Sequence, residues 1–201
     1  MRNVRSLSLC AIAILSGIAT LSAQSMETKD LAVGKFLVAS RGLPDPNFGE
    51  TVILLIQYGN EGAVGLALNR PTKVPISKVL KDLDSARERS ETVFAGGPVD
   101  LGQVFALLRS STTPQEATRI AKDVQLIRTK MSLEKVLAAN HDPASVRVYL
   151  GYCGWGNGQL EHEVSLGAWH IFDSVSDKIF DANPASLWYR MIALTERQFA
   201  D

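Results

Sequence analysis

The sequence predicts an α+β domain, and three observations carry that reading. Strand-like and helix-like segments are mixed along the chain without the regular alternation of a doubly wound sheet. Residues 51–58 (TVILLIQY) are almost continuously apolar and rich in β-branched side chains, as in a strand buried on both faces. The closing segment 184–199 is amphipathic at helical spacing, with Leu187, Trp188, Met191, Ile192 and Leu194 available for packing.

The elements follow in order. Residues 34–40 (GKFLVAS) form an apolar, β-prone run, which GLPDPNFG at 42–49 breaks with two prolines. Phe48 in that loop is a core anchor or a binding residue. The strand at 51–58 turns through Gly59-Asn60-Glu61-Gly62 and returns at 63–69 (AVGLALN), a predicted hairpin that Pro71 ends. Ile76, Val79, Leu80 and Leu83 share one face of a helix over 76–83, and the charged stretch 87–91 is a solvated connection. Strands are predicted at 92–95, 104–109 and 124–128, with the signals before 124 in conflict and left unassigned. Residues 132–139 form a helix capped by Ser132, followed by a strand at 146–152. A glycine-rich turn at 153–158 leads to a helix at 159–166 and a short strand at 168–172.

Composition narrows the classes. The 201 residues are 46% hydrophobic and 21% charged, with 21 basic and 21 acidic side chains, as in one ordinary globular domain. Zero net charge argues against a nucleic-acid binder working by bulk charge. The N-terminus, residues 1–23, has Arg2 and Arg5, then an apolar run over 7–21, then Ser22 and Ala23: the layout of a secretory signal peptide cleaved after residue 23 or 25. The run is shorter than the roughly 20 apolar residues that span a bilayer, so no membrane span is expected once it is removed. The mature chain has about 178 residues, 19 basic against 21 acidic groups, and Cys153 as its one thiol, Cys10 having gone with the signal. It forms no internal disulfide.

The densest motif is 151–163, GYCGWGNGQLEHE. A strand entering a glycine turn and leaving into a helix presents backbone N–H groups to an anion. Its spacing is neither the dinucleotide fingerprint nor a Walker loop, so no cofactor is implied. The alternative is that the glycines serve a tight turn and let Trp155 pack. Cys153 could act as a nucleophile with His162 as its base, or be a small buried apolar residue. His141, His162 and His170 with one cysteine show no metal-ligand pairing, and the carboxylates of Glu161 and Glu163 read as solvated. In Asn69-Arg70-Pro71, Arg70 either holds an anion by its planar fork or ties carboxylates such as Asp45 or Glu50. The glycines of Phe94-Ala95-Gly96-Gly97-Pro98-Val99 answer to backbone geometry.

The segments GKFLVASRGLPDPNFGETVILL, GAVGLALNRPT, FAGGPV and LGYCGWGNGQLEHE, in this order, resemble the YqgE/AlgH family of bacterial proteins over residues 31–199. The matching positions are Pro44, Asp45, Phe48, Gly65, Asn69, Arg70, Pro71, Gly96, Gly97, Pro98, Gly154, Trp155, Gly158, Gln159 and Glu161. The resemblance implies an α+β domain with a branched mixed sheet containing a small barrel-like portion, flanked by helices. It implies no catalytic residues, because the family has no established enzymatic activity; it is named for a link to alginate production and often described as a transcriptional regulator.

This chain differs from the family pattern at Cys153, where a small residue such as alanine is familiar, and in its apparent export signal. Family members begin near the residue matching Leu31 and are read as cytoplasmic. Export to the periplasm separates the domain from chromosomal DNA, and no basic face or helix-turn-helix is visible. The leading expectation is an exported, non-enzymatic binding or regulatory domain. Its candidate surface comprises Asn69, Arg70, Gly154, Trp155, Gly158, Gln159 and Glu161, engaging a small anionic ligand or a protein partner. A Cys153/His162 thiol enzyme and a DNA-associated, cytoplasmic regulator are the alternatives.

Overall fold

The structure, a computed structural model, describes residues 28–139 and 141–198. The expected signal segment lies outside them. Ten strands are present among the described residues: β1 Lys35–Ala39, β2 Val52–Gly59, β3 Gly62–Ala67, β4 Pro71–Pro75, β5 Thr92–Ala95, β6 Val99–Arg109, β7 Thr118–Ala121, β8 Val124–Ile127, β9 Val146–Trp155 and β10 Trp169–Asp173. The helices are α1 Ile76–Val79, α2 Lys130–Ala138, α3 Gln159–Ser165, α4 Ser176–Ile179 and α5 Leu187–Gln198.

The expected α+β class, with a branched sheet and a barrel-like part, is what the chain adopts. Eight strands follow the order β10-β1-β2-β3-β9-β6-β8-β7, all antiparallel. The branch arises on β9, whose end pairs with β3 (Gly65↔Cys153) while its middle pairs in parallel with β5 (Phe94↔Tyr149), and β5 carries β4. The sheet curls until β7 returns to the start of β1. The approach is so close that a Cβ on Gly34, which has φ 86°, would lie 2.3 Å from the Ile120 carbonyl oxygen.

Side chains alternate along β6 and β9 and so build two cores. Leu107, Tyr149, Cys153 and Trp155 join Phe36, Ile53, Leu66 and Trp169 inside the curl, which α5 closes with Leu187, Trp188, Met191 and Ile192. Ala106, Leu108 and Val148 face the other way, onto α2 and the α1 segment through Leu133, Val136, Leu137, Ile76 and Leu83.

Several expected boundaries are corrected. Pro71 does not end the chain's extended course but opens β4, an outlying strand where prolines remove no essential ladder bond, with Thr72 Oγ1 donating to Val93 O at 2.7 Å. The helix expected over 76–83 stops at Val79, because Ile76, Leu83 and Ala86 reach the same core through a turn and a 3-10 segment at Asp84–Ala86. The strand expected at 104–109 begins five residues earlier, and β7 occupies the unassigned stretch. Thr129, not Ser132, caps α2, accepting from Ser132 N at 3.2 Å. β9 runs through Trp155, so the glycine turn is confined to 156–158. Leu194 is 41% exposed and takes no part in the core that its neighbours on α5 enter.

Candidate functional site

The loop between β1 and β2 is the organising feature. Its Asp45 makes a local turn, Oδ1 accepting from Asn47 N at 2.7 Å while its carbonyl accepts from Gly49 N at 2.8 Å. Where the loop enters β2, Asn69 holds it from the end of β3: Nδ2 donates to Glu50 O at 2.8 Å and Oδ1 accepts from Val52 N at 2.9 Å. Arg70 donates to Thr51 Oγ1 at 2.7 Å and to Gly49 O at 3.5 Å. The tie expected between Arg70 and the Asp45 or Glu50 carboxylate is therefore made instead to a hydroxyl and a backbone carbonyl. The Glu50 carboxylate accepts from Tyr189 Oη at 2.8 Å, and Glu50 itself sits at φ 54°, a left-handed conformation that costs energy for a residue with a Cβ.

The other half of the site is built where β9 passes into α3. Gly158 takes φ 75° at the N-cap, and Gln159 folds back so that its Oε1 accepts from Gly156 N at 3.1 Å. That backbone donor is thus already used, and Glu161 places negative charge in the first turn of a seven-residue helix. Both features count against an anion at this turn. Glu161 accepts from Tyr58 Oη at 2.7 Å; burial, and then this carboxylate, push the phenol up to about 12.

Glu163, one turn after Gln159, is the centre that the sequence reading missed. Its Oε2 accepts from the indole N–H of both Trp155 (2.9 Å) and Trp169 (2.8 Å), and its Oε1 accepts from Gln159 Nε2 at 2.9 Å. The expectation that Glu161 and Glu163 are solvated is corrected for both. Phe48 closes the cluster, stacked on Trp155 with centroids 6.1 Å apart and edge-on to Trp169 at 5.9 Å. The sequence held one signal of this: Gln159 and Glu163 at i and i+4 on one helix face.

Of the residues named from sequence, Trp155 and Gln159 meet at Glu163. Trp155 is only 5% exposed and acts from beneath the surface. Asn69 and Arg70 serve the other end of the loop. Gly154 lies within β9 opposite Val64, and Gly158 lies at an open turn.

The thiol pairing is not assembled. Cys153 is 1% exposed, its Sγ donates to Gly96 O at 3.3 Å, and burial pushes it up to about 12 against the opposing pull of Arg70. His162 is exposed on α3. Among the described residues no group of three or more His, Cys, Asp or Glu side chains is arranged to hold a metal ion, and no helix is long and apolar enough to cross a membrane.

Two cavities adjoin the loop and share Ser40, Arg41, Gly42 and Leu43. One, of about 410 Å³, continues over Phe48, Glu163, Leu166 and Trp169. The other, of about 320 Å³, continues over Glu50, Trp188 and Tyr189. Arg41 stands between them with its guanidinium 5.7 Å from the Trp188 ring centroid.

The chain as a whole is similar to known proteins. Residues 36–200 match the family described as AlgH-like. A UPF0301 protein of Streptomyces avermitilis is 32% identical over 83% of this chain and 88% of its own length; one of Thioalkalivibrio sulfidiphilus is 34% identical over 77% and 84%. The solution structure of the AlgH protein from Pseudomonas aeruginosa superposes with a TM-score of 0.66 at 28% identity, covering 82% of this chain and 87% of that one. A crystal structure of a Corynebacterium diphtheriae protein, at 19% identity, shares the fold with a TM-score of 0.68 over 80% and 85% of the two chains. With its loop, glycine turn and curled sheet all inside the matched span, the chain belongs to the AlgH-like family.

Proposed function

We propose that this chain is an exported, non-enzymatic binding domain that engages a protein partner across the mouth formed by the 40–50 loop and the end of α3. The observation that carries the reading is the pair of adjoining cavities, rimmed by Leu166, 71% exposed, and Tyr189, 53% exposed. Apolar side chains held open at a concave surface with a few charged groups suit a partner's side chains. The floor is rigid, because Glu163, Trp155, Trp169 and Phe48 hold one another, so little ordering is needed on binding. Of the residues named from sequence, Gln159 braces Glu163 through its side-chain amide, while Trp155, Asn69 and Arg70 support the loop from behind. The thiol-enzyme alternative finds no support in a buried, hydrogen-bonded Cys153 and an exposed His162.

A photo-crosslinking side chain at Leu166 or Tyr189, in the native host, tests the reading. A discrete protein adduct from these positions, absent when the same group replaces Lys122, is the expected result; no adduct, or equal adducts from all three, overturns it. The export component rests on residues 1–23 alone and is tested by N-terminal sequencing of the mature protein in a periplasmic fraction.

A further inference from the structure

On the opposite face of the sheet, a cavity of about 280 Å³ opens between the α1 segment and the start of α2. Val79, Leu80, Leu83, Val104, Ile127 and Leu133 form its apolar walls. Two cationic residues, Arg128 and Lys130, belong to the same lining, against a single acidic one, Asp82. Arg128 spends one long bond, 3.5 Å, on Ile56 O, and Lys130 makes no ion pair among the described residues. The nearby carboxylate of Glu116 is engaged elsewhere, accepting from Thr129 and Ser132 hydroxyls at 3.2 and 3.1 Å. The cap of α2 is filled by Thr129 Oγ1, which accepts from Ser132 N at 3.2 Å, so the cavity's charge preference comes from the two side chains and not from the helix end. None of its residues belongs to the mouth at the 40–50 loop.

We propose that this cavity binds a small anionic amphiphile, a carboxylate held by Arg128 and Lys130 with its alkyl chain lying between Val104, Ile127 and Leu133. Six of the eleven lining residues are aliphatic and give an alkyl chain continuous apolar contact, while Gln103, Thr129 and Asp82 supply the polar groups beside the two cations. The planar guanidinium and the mobile ammonium together suit a carboxylate, and the excess of cationic over acidic lining disfavours a cationic head.

The test uses sodium hexanoate, octanoate and decanoate below their micellar concentrations, with decanol and decyltrimethylammonium as controls. Titration calorimetry is combined with NMR of the Ile127 and Leu133 methyl groups. One saturable site is expected, with affinity rising about fourfold per added methylene until the cavity is filled. Arg128→Gln with Lys130→Gln lowers decanoate affinity at least tenfold and leaves decanol unchanged. Should the double variant fold poorly, Lys130→Gln alone, at an exposed position, still lowers decanoate affinity severalfold. Binding of decyltrimethylammonium as tight as that of decanoate, insensitivity to both charge changes, or methyl shifts confined to other parts of the molecule would each overturn the proposal.

Discussion

Glu163 accepts three hydrogen bonds, two of them from indoles that are 5% and 2% exposed. A buried donor without a partner costs about 1 to 3 kcal/mol, so removing the shared acceptor strands two at once. Glu163→Ala is expected to lower stability by about 3 kcal/mol in urea denaturation, and Glu163→Gln, which keeps one carbonyl oxygen, by about half as much. Equal losses would mean that packing and not the acceptor matters there. Cys153 acts at the same scale through its proton. Its folded value of about 12 stands above the ordinary 9.0, and Tyr149, also raised to about 12 by burial, stands above 10.0. Folding therefore favours the protonated forms: their contribution is complete below about pH 9 and is lost as pH rises towards 12. Denaturation midpoints should fall across that window, less steeply in Cys153→Ala, and iodoacetamide should label Cys153 only as fast as the protein unfolds.

The strands meet through glycines whose roles differ although their sequence surroundings look alike. A Cβ on Gly97 would lie 2.1 to 2.4 Å from backbone atoms of Tyr152 and Cys153, because the turn after β5 lies flat against β9. Gly158 has nothing within 4 Å and needs only its φ of 75°. Gly97→Ala is thus expected to cost about 3 kcal/mol or to prevent folding, by overpacking against backbone that has no rotamer to yield. Gly158→Ala costs about 1 kcal/mol, the penalty of a left-handed residue, and Gly158→Asn less. Thermal denaturation of the three variants checks the order, and a Gly97→Ala protein as stable as Gly158→Ala would contradict it. The helices divide in the same way. α5 was legible because four of its apolar side chains repeat at helical spacing over a long span. The segment over 76–83 has a similar pattern, yet only Ile76–Val79 is helical, since a 3-10 turn also delivers Leu83 and Ala86 to the core.

The molecule as a whole depends on β9, which feeds both cores: Val148 packs outside the curl and Tyr149, Cys153 and Trp155 pack inside it. One strand shared by two cores makes them one cooperative unit. Val148→Ala, in the outer core, is expected to cost about 2.5 kcal/mol and to shift the tryptophan fluorescence midpoint, reporting Trp155, Trp169 and Trp188 of the inner core, together with that of far-UV circular dichroism. Separate midpoints would reveal two units.

Local chemistry was enough to reveal the hairpin of β2 and β3, the strand character of β1, β5, β8 and β9, the long closing helix and the α+β class. Apolar runs, turn residues and helical spacing are properties of neighbouring residues and can be read along the chain. The branch of the sheet on β9 and the carboxylate between two indoles required the fold. Strands from distant parts of the chain had to stack before Gly97 had a reason to lack a Cβ. Likewise Trp155, Trp169 and Phe48 had to be brought together before Glu163 became more than a surface acid, because burial and hydrogen-bond partners are set by the whole chain's packing.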